Sequence, residues 1–283
     1  MRNISASLGK EIEYKLVELV HGSNFIEVTG SDFDVTETLC RQIFRGEDVP
    51  ALVDPRTQEY EQARAALVAL KRPSSPQDVV RSRQEIINHA HALNYAVDHF
   101  VLDGKAVDED FLKEVHQRLC QGDVLGEDAG EPGEYRTWEI AARHGPDARK
   151  KSVFIRASVV PRYMSDLVED LHRDLVHAEE AQTVDPFDLA SRYCHRFVCI
   201  HPFGDGNGRM CRILLNILLL KYAGHVTPFG GSEEEREEYL DIARKGNKVF
   251  HVEDMEVPED EKRGHWALAK FTMRKSKTGI ENY

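Results

Sequence analysis

The residues with the greatest capacity for chemistry lie in one stretch, residues 201–212, which reads H-P-F-G-D-G-N-G-R-M-C-R. It contains an imidazole at His201 and a carboxylate at Asp205, and two guanidinium groups follow at Arg209 and Arg212. The three glycines between them have no Cβ, so the backbone can turn tightly and its N–H groups can approach a ligand closely. This combination of groups is typical of a site that binds phosphate.

The chain after this stretch predicts how the loop is held. The apolar run 213–222 predicts a helix, whose N-terminal N–H groups and positive dipole end would face the loop. Arg209 and Arg212 are three residues apart and would lie on one face of its first turns. A simpler interpretation is that residues 201–203 only end the preceding helix and that the glycines only form a turn. The convergence of several polar groups on one helix N-terminus favours the phosphate site.

Each polar group of the loop has a chemical task that suits it. Asp205 offers the oxygen ligands that Mg²⁺ prefers, and this ion commonly bridges phosphates. The backbone around Gly206, Asn207 and Gly208 would form an anion-binding nest together with the helix N-terminus. His201 lies at the loop entrance, where it could accept a proton from an attacking group. The residues alone therefore predict a metal- and phosphate-binding loop with a general base.

Helical periodicity and capping residues predict that helices hold this loop. Asp185 as N-cap, followed by Pro186, predicts the helix that ends at His201, and Ser75 with Pro76 begins another long helix in the same way. We therefore expect an all-α fold, a helical bundle with one β-hairpin.

Two further helices are predicted near the ends of the chain. The spacing of apolar residues over 8–20 predicts a helix that ends at Gly22. Ser232 and Glu235 have the spacing of a capping box, in which each side chain bonds the other residue's backbone N–H, and they predict a helix from 233 to about 245.

Strand signals occur in one region of the chain. Residues 135–142 and 152–157 flank the turn 144–147 and predict the β-hairpin. Its loop carries a basic cluster, Arg149, Lys150 and Lys151. Two interpretations stay open: a solvated loop, or a surface that docks an acidic partner.

Composition narrows the class of protein. The chain has 283 residues and a formal charge of −12, from 37 basic and 49 acidic residues, which argues against nucleic-acid binding and against an anionic membrane surface. Five scattered cysteines predict buried free thiols. No signal peptide or transmembrane segment is evident, so we expect a cytoplasmic or nuclear location.

The loop and the segment before the hairpin resemble those of a known protein family. Residues 201–212 match, at every defined position, the H-P-F-x-[DE]-G-N-G-R-x-x-R signature of Fic-domain proteins. Residues 133–137 resemble the G-x-[FY]-R segment that opens the flap hairpin of that family. The resemblance implies a Fic-type helical bundle with three regions: 1–72, a helical region with an inhibitory helix; 73–250, the catalytic core; and 251–283, a C-terminal extension.

The resemblance also implies an activity and roles for individual residues. Fic proteins mostly transfer AMP from ATP to a hydroxyl side chain of a target protein. His201 would then be the general base for a Ser, Thr or Tyr hydroxyl of a target, the chain itself included. Asp205 would hold Mg²⁺ between the α- and β-phosphates, Asn207 and the adjacent backbone would form the anion hole, and Arg212 would bind the γ-phosphate.

Adenine contacts are expected further along the chain. Tyr239 and Asn247 occupy positions where family members contact adenine, while Leu240 stands where a second tyrosine is frequent. The resemblance therefore implies a nucleotide site that extends from residues 201–212 towards Asn247.

A second motif concerns regulation. Many Fic proteins carry an inhibitory helix with the pattern [ST]-x-x-x-E-[GN]. Ser23 and Glu27 supply the first two defined residues at the right spacing, whereas Val28 replaces Gly or Asn. The hypothesis is that Glu27 pairs with Arg212 and occupies the partner of the γ-phosphate. An ordinary surface glutamate is the alternative.

Three alternative functions stay open. With Glu27 in place, the same site could remove AMP from a modified target, with the glutamate orienting a water molecule. A different donor, for phosphate or phosphocholine transfer, is disfavoured because the G-N-G-R-x-x-R part of the motif is intact. A non-catalytic binding module is disfavoured because His201 and Asp205 are both present.

Overall fold

A computed structural model describes residues 6–122, 130–143 and 151–281 of the chain. Within these ranges the chain forms ten α-helices and one two-stranded antiparallel sheet. The helices are α1 Ala6–Ile26, α2 Phe33–Phe44, α3 Gln58–Ala69, α4 Pro76–Ala96, α5 Glu109–Leu119, α6 Val160–Ala181, α7 Pro186–Ile200, α8 Asn207–Ala223, α9 Glu233–Glu256 and α10 Trp266–Glu281. The expected all-α bundle with one hairpin is confirmed.

Helix α8 lies at the centre of the bundle. Every residue from 209 to 219 is buried, and a helix that is buried on all sides must be surrounded by other elements. It packs most extensively against α7 and also contacts α1, α4, α5 and the π-helical turn Val97–Leu102 that continues α4. The loop between α7 and α8 is therefore held by the best-packed pair of helices in the fold.

Several predicted helix starts are confirmed because they depend on local chemistry. Ser75 and Asp78 form a reciprocal capping box at the start of α4. The Asp185 carboxylate accepts hydrogen bonds from the backbone N–H groups of residues 187 and 188, at the start of α7. These side chains satisfy N–H groups that the first helical turn leaves unpaired.

The prediction that the first helix ends at Gly22 was wrong, because α1 continues to Ile26. Gly22 serves packing instead of helix termination. A Cβ built on Gly22 would overlap the carbonyl oxygen of Phe229, and a Cβ built on Gly230 would overlap that of Gly22. The missing side chains let α1 and the segment before α9 meet backbone to backbone.

The predictions around α9 were partly wrong. The helix is longer than expected and ends at Glu256. Ser232 accepts the N–H of Glu235, as predicted, but the Glu235 carboxylate accepts the N–H groups of Gly230 and Gly231, so the reciprocal half of the capping box is missing. The extra turns of α9 carry residues that contact the hairpin.

The hairpin is shorter than predicted. Strand β1 is Ala141–Arg143 and strand β2 is Lys151–Val153, with Ala142 opposite Ser152. The predicted turn 144–147 and the basic residues Arg149 and Lys150 lie outside the described residues.

Other expectations concern the chain as a whole. All five cysteines are buried free thiols, as predicted. Among the helices of the described ranges, we find none with the length and apolar character needed to cross a bilayer. Helix α1 packs on α4 and α8, and α10 packs on α7 and α9, so both ends of the chain contact the central helices. The division into three regions at residues 72 and 250 stays a prediction.

Candidate active site

The loop between α7 and α8 reverses the chain within six residues. Helix α7 ends at Ile200, and His201 follows in the left-handed conformation, with φ 54° and ψ 61°. Gly206, with φ 75°, precedes the first residue of α8, Asn207. Left-handed backbone at both ends folds the loop over the N-terminus of α8.

The imidazole of His201 is held by a hydrogen bond on one edge and by a stacked ring on one face. Its Nδ1 lies 3.0 Å from the carbonyl oxygen of Val198; because a carbonyl can only accept, we assign the proton to Nδ1 and a lone pair to Nε2. The ring of Phe154 stacks on it at 3.7 Å between centroids and 18° between planes. Burial, assisted by the nearby Arg136, lowers the pKa of His201 to about 4, so the ring is neutral at pH 7.

Asn207 stabilises the loop through two hydrogen bonds to the backbone of Phe203. Its Nδ2 donates to the carbonyl oxygen of Phe203 at 2.8 Å, and its Oδ1 accepts the N–H of Phe203 at 3.0 Å. The side chain is buried and its amide is engaged in these two bonds. The structure therefore places the predicted anion-hole residue in the loop wall, where it orients the backbone N–H groups of the helix N-terminus.

Asp205 has the exposure expected of a metal ligand that works together with a substrate. Its side chain is 54% exposed, Oδ1 accepts the N–H of Gly206 at 2.6 Å, and Oδ2 lies 3.9 Å from Nη2 of Arg209. The described residues contain no cluster of three or more His, Cys, Asp or Glu side chains able to hold a metal on their own. A single carboxylate fits Mg²⁺ carried by a nucleotide, because this ion usually takes one or two carboxylates together with phosphates and water.

Arg212 is buried and is held by α1, which lies almost two hundred residues earlier in the sequence. Its Nε donates to Oγ of Ser23 at 2.8 Å, and its Nη2 donates to the carbonyl oxygen of Ser23 at 3.0 Å and to Oε1 of Glu27 at 2.6 Å. Burial alone would lower the pKa of this guanidinium, but the carboxylate of Glu27, together with the neighbouring Tyr239 and Cys211, raises it above its ordinary value. The contact required by the inhibitory hypothesis is thus present.

Gly208 allows the Glu27 carboxylate to approach α8. A Cβ built on Gly208 would overlap Oε1 of Glu27. The carboxylate therefore lies against the first turn of α8, where unpaired N–H groups and the helix dipole attract an anion. Glu27 occupies the position that the sequence analysis assigned to phosphate.

Arg209 has unused hydrogen-bonding capacity beside this position. It is 3% exposed, and its Nε and Nη1 have no hydrogen-bond partner among the described residues. Buried polar groups of this kind are rare, and each requires an explanation such as a ligand. Arg209 also lines the cleft, so its guanidinium contributes positive charge there.

The two predicted adenine contacts lie on α9. Tyr239 is buried beneath Arg212, whose guanidinium carbon is 5.5 Å from the centre of the tyrosine ring. Asn247 is also buried, and its Nδ2 donates to the carbonyl oxygen of Val153 in strand β2 at 3.2 Å. Both residues line the cleft, and their adenine contacts stay predictions.

Two buried residues support the loop in ways that the sequence analysis did not predict. The guanidinium of Arg136 donates to the carbonyl oxygen of His201 at 2.7 Å, and its Nη2 donates to that of Ile155 at 2.7 Å, so it ties the loop to the hairpin. His116 accepts the N–H of Gly133 at Nδ1, and its Nε2 therefore donates to the carbonyl oxygen of Asp205 at 3.0 Å. The G-x-[FY]-R segment had drawn attention to Arg136, whereas His116 carried no sequence signal.

These residues surround a cleft of about 530 Å³. Its lining includes five arginines, which contrast with the acidic charge of the whole chain: Arg143, Arg209, Arg212, Arg236 and Arg244. A second cavity of about 500 Å³ is lined by Tyr14, Lys15 and Glu18 of α1 and contains none of the loop residues. The size, positive charge and motif residues of the first cleft suit a nucleotide.

Comparisons with known proteins agree with this geometry. Residues 106–219 match the model of the Fic/DOC family. The chain is 31% identical over 151 residues to protein adenylyltransferase fic-1 of Caenorhabditis elegans, a match that covers 52% of this chain and 26% of that protein. It is 27% identical over 158 residues to protein adenylyltransferase Fic of Drosophila melanogaster, with 52% and 32% covered. The matches thus span about a third or less of these relatives.

Solved structures show the same fold. A Fic domain-containing signaling protein from Bacteroides thetaiotaomicron superimposes with a TM-score of 0.69 at 17% identity, over 99% of this chain and 91% of that one. Fic-1 from C. elegans superimposes with a TM-score of 0.60 at 20% identity, over 100% of this chain and 66% of that one.

Proposed function

The chain carries a Fic domain, and from this premise we propose that it is a protein adenylyltransferase that moves AMP from ATP to a hydroxyl group of a protein target. One observation carries the proposal: a neutral His201 and the buried guanidinium groups of Arg209 and Arg212 share a cleft at the N-terminus of α8. This arrangement offers a base on one side of a phosphate site and positive charge on the other.

The chemistry follows from these positions. Nε2 of His201 accepts the proton of a Ser, Thr or Tyr hydroxyl, whose oxygen attacks the α-phosphorus of ATP. The bond from that phosphorus to the bridging oxygen breaks, and pyrophosphate leaves. Arg212 and Arg209 hold the distal phosphates in line, so the chain contributes positioning and charge neutralisation. Asp205 would hold Mg²⁺, which supplies further neutralisation of phosphate charge when bound.

The hairpin is the expected docking site for the target. Strand β1 is exposed along Ala141–Arg143 and pairs with β2 on one side. An extended target segment could add to it as a further strand and present its hydroxyl at the cleft. The target protein therefore needs an exposed, extended hydroxyl-bearing segment.

We propose further that Glu27 inhibits the transfer. Its carboxylate neutralises Arg212 and lies in the phosphate position, so productive ATP has to displace it. With an effective dielectric constant of about 20, a charge pair at about 4 Å is worth about 4 kcal/mol; because the Glu27 side chain is 36% exposed, we take roughly half of this value. Release of Glu27 then favours productive ATP by roughly tenfold to thirtyfold.

The test compares labelling of proteins with α-³²P-ATP by the wild type and by Glu27→Gly. We expect the variant to incorporate at least about tenfold more label. Glu11→Gly, at an exposed position of α1, the helix that directly precedes Glu27, controls for the glycine itself, and His201→Ala added to Glu27→Gly controls for the base. Unchanged labelling in Glu27→Gly would contradict inhibition, and absence of labelling in both would contradict the transferase.

The position of Glu27 also favours a second candidate function, the removal of AMP from a modified target. Its second carboxylate oxygen could orient a water molecule towards the phosphorus in the same cleft. Incubation of AMP-modified target with wild-type protein distinguishes the two: release of AMP that is lost in Glu27→Gln supports hydrolysis. A non-catalytic binding module would show neither labelling nor release.

A further inference from the structure

Helix α9 holds strand β2 of the hairpin through one carbonyl group. The carbonyl oxygen of Val153 lies 2.7 Å from Nε2 of His251 and 3.2 Å from Nδ2 of Asn247. Since a carbonyl oxygen can only accept, both side chains donate to it, and two lone pairs allow both bonds. The end of β2 is therefore fixed to α9 by two hydrogen bonds.

The backbone is also held two residues later. The carbonyl oxygen of Ile155 accepts a hydrogen bond of 2.7 Å from Nη2 of Arg136. Phe154 lies between these two anchored carbonyls, and because side chains alternate along extended backbone, it points away from the exposed Val153 and into the protein. It is 8% exposed.

The ring of Phe154 covers the imidazole of His201. The hydrogen bond from Nδ1 to Val198 holds one edge of the imidazole, and the stacked phenyl ring holds one face. Rotation of the imidazole about its Cβ–Cγ bond would require the phenyl ring to move. The anchored segment thus limits the rotation of the imidazole.

We infer that His251, by binding the carbonyl of Val153, is a positioning residue that keeps Phe154 against His201 so that Nε2 faces the cleft. This inference rests on the proposed role of His201 as the base. Neither His251 nor Val153 lines the nucleotide cleft, whereas Asn247 does. Substitution of His251 therefore changes the anchoring of the hairpin without removing a cleft residue.

The experiment uses the full chain with Glu27→Gly as the active parent, and adds His251→Ala, His251→Gln or Phe154→Leu. The loss of one hydrogen bond in His251→Ala should lower kcat roughly threefold to tenfold, while KM for ATP stays within about twofold, because the phosphate site is untouched. Gln can donate from its amide and should restore much of kcat. His172→Ala, at an exposed position of α6, is the matched control and should change neither constant.

An NMR measurement reports the positioning itself. Stacking on Phe154 shifts the ring-proton resonances of His201 upfield, so His251→Ala and Phe154→Leu should move them towards the values of a free imidazole, and His251→Gln should not. Unchanged His201 resonances and unchanged kcat in His251→Ala would overturn the inference. A rise in KM as large as the fall in kcat, together with a lower melting temperature, would also overturn the inference. Such a result would indicate general destabilisation. If the parent fails to label any protein, the proposed function fails, while the His201 resonances still decide the positioning.

Discussion

Replacement of Val28 by glycine should strengthen the inhibitory contact of Glu27. The C-terminus of α1 has two hydrogen bonds typical of a Schellman motif: Thr29 N–H donates to the carbonyl of Asn24 at 3.0 Å, and Val28 N–H donates to that of Phe25 at 3.1 Å. This geometry makes Glu27 the C-cap residue, directly after Ile26, and places Val28 in the left-handed position, with φ 60°. A β-branched residue there is strained, whereas Gly or Asn is favoured.

The size of the effect follows from this backbone conformation. The left-handed region costs an L-residue roughly 1–2 kcal/mol. A glycine avoids this cost, but its greater conformational freedom stabilises the released segment by about 0.5–1 kcal/mol. Val28 is 58% exposed, so its removal loses little packing. The net gain of roughly 1 kcal/mol for the state in which Glu27 pairs with Arg212 corresponds to about a fivefold lower active population.

The assay measures basal labelling from α-³²P-ATP together with the melting temperature. Val28→Gly and Val28→Asn should both lower labelling by about fivefold and raise the melting temperature by a few degrees. Val28→Ile retains the β-branched side chain and should match the wild type. In a Glu27→Gly background the contact is absent, so Val28→Gly should have no further effect on labelling.

Either of two results would contradict this role of position 28. Labelling that rises in Val28→Gly would mean that the strained residue stabilises the inhibited state. An equal decrease in the presence and absence of Glu27 would mean that position 28 acts through something other than this contact.

Two further predictions follow from buried groups. Gly22→Ala should raise the labelling of proteins from α-³²P-ATP and lower the melting temperature. The reason is that the new Cβ would overlap the carbonyl oxygen of Phe229 and displace α1. Unchanged labelling and an unchanged melting temperature would contradict this packing. Burial lowers the pKa of His116 to about 4 and that of His195 to about 3. Both values are below the pKa of about 6.5 in the unfolded chain. The unfolded state therefore binds more protons, and the free energy of unfolding falls as the pH drops from about 6.5 to 4. Urea unfolding should show a loss on the order of 2 kcal/mol for each histidine between pH 7 and pH 5, and a free energy of unfolding that stays constant over this range would contradict it.

This site is built partly from neighbouring residues and partly from segments that are distant in the chain. The loop residues could be identified from the sequence because the groups that form the site are close together in the chain, within residues 201–212. Caps such as Ser75 and Asp185 were equally readable, since each satisfies N–H groups two or three residues away. The pattern around Ser23 and Glu27 also predicted a contact with Arg212, although only through a family resemblance.

Other features depend on how distant segments pack, and no local pattern records them. Asn247 was assigned to adenine from its position, whereas the structure shows its amide bound to the hairpin backbone. His116 reaches the carbonyl of Asp205 only because α5 packs beside the loop. Gly22 resembled a helix end because a glycine in a sequence cannot reveal that another backbone passes against it.

The order of residues along the chain was enough to predict the chemical groups of residues 201–212, the helices on either side of them and the helical class of the fold. The folded chain was needed to show which nitrogen of His201 is free, what covers its ring, and that the carboxylate of Glu27 lies on the N-terminus of α8. The difference comes from the distance over which each interaction acts. Capping and helical periodicity act within a few residues, whereas orientation, burial and charge pairing depend on segments that meet only when the chain has folded.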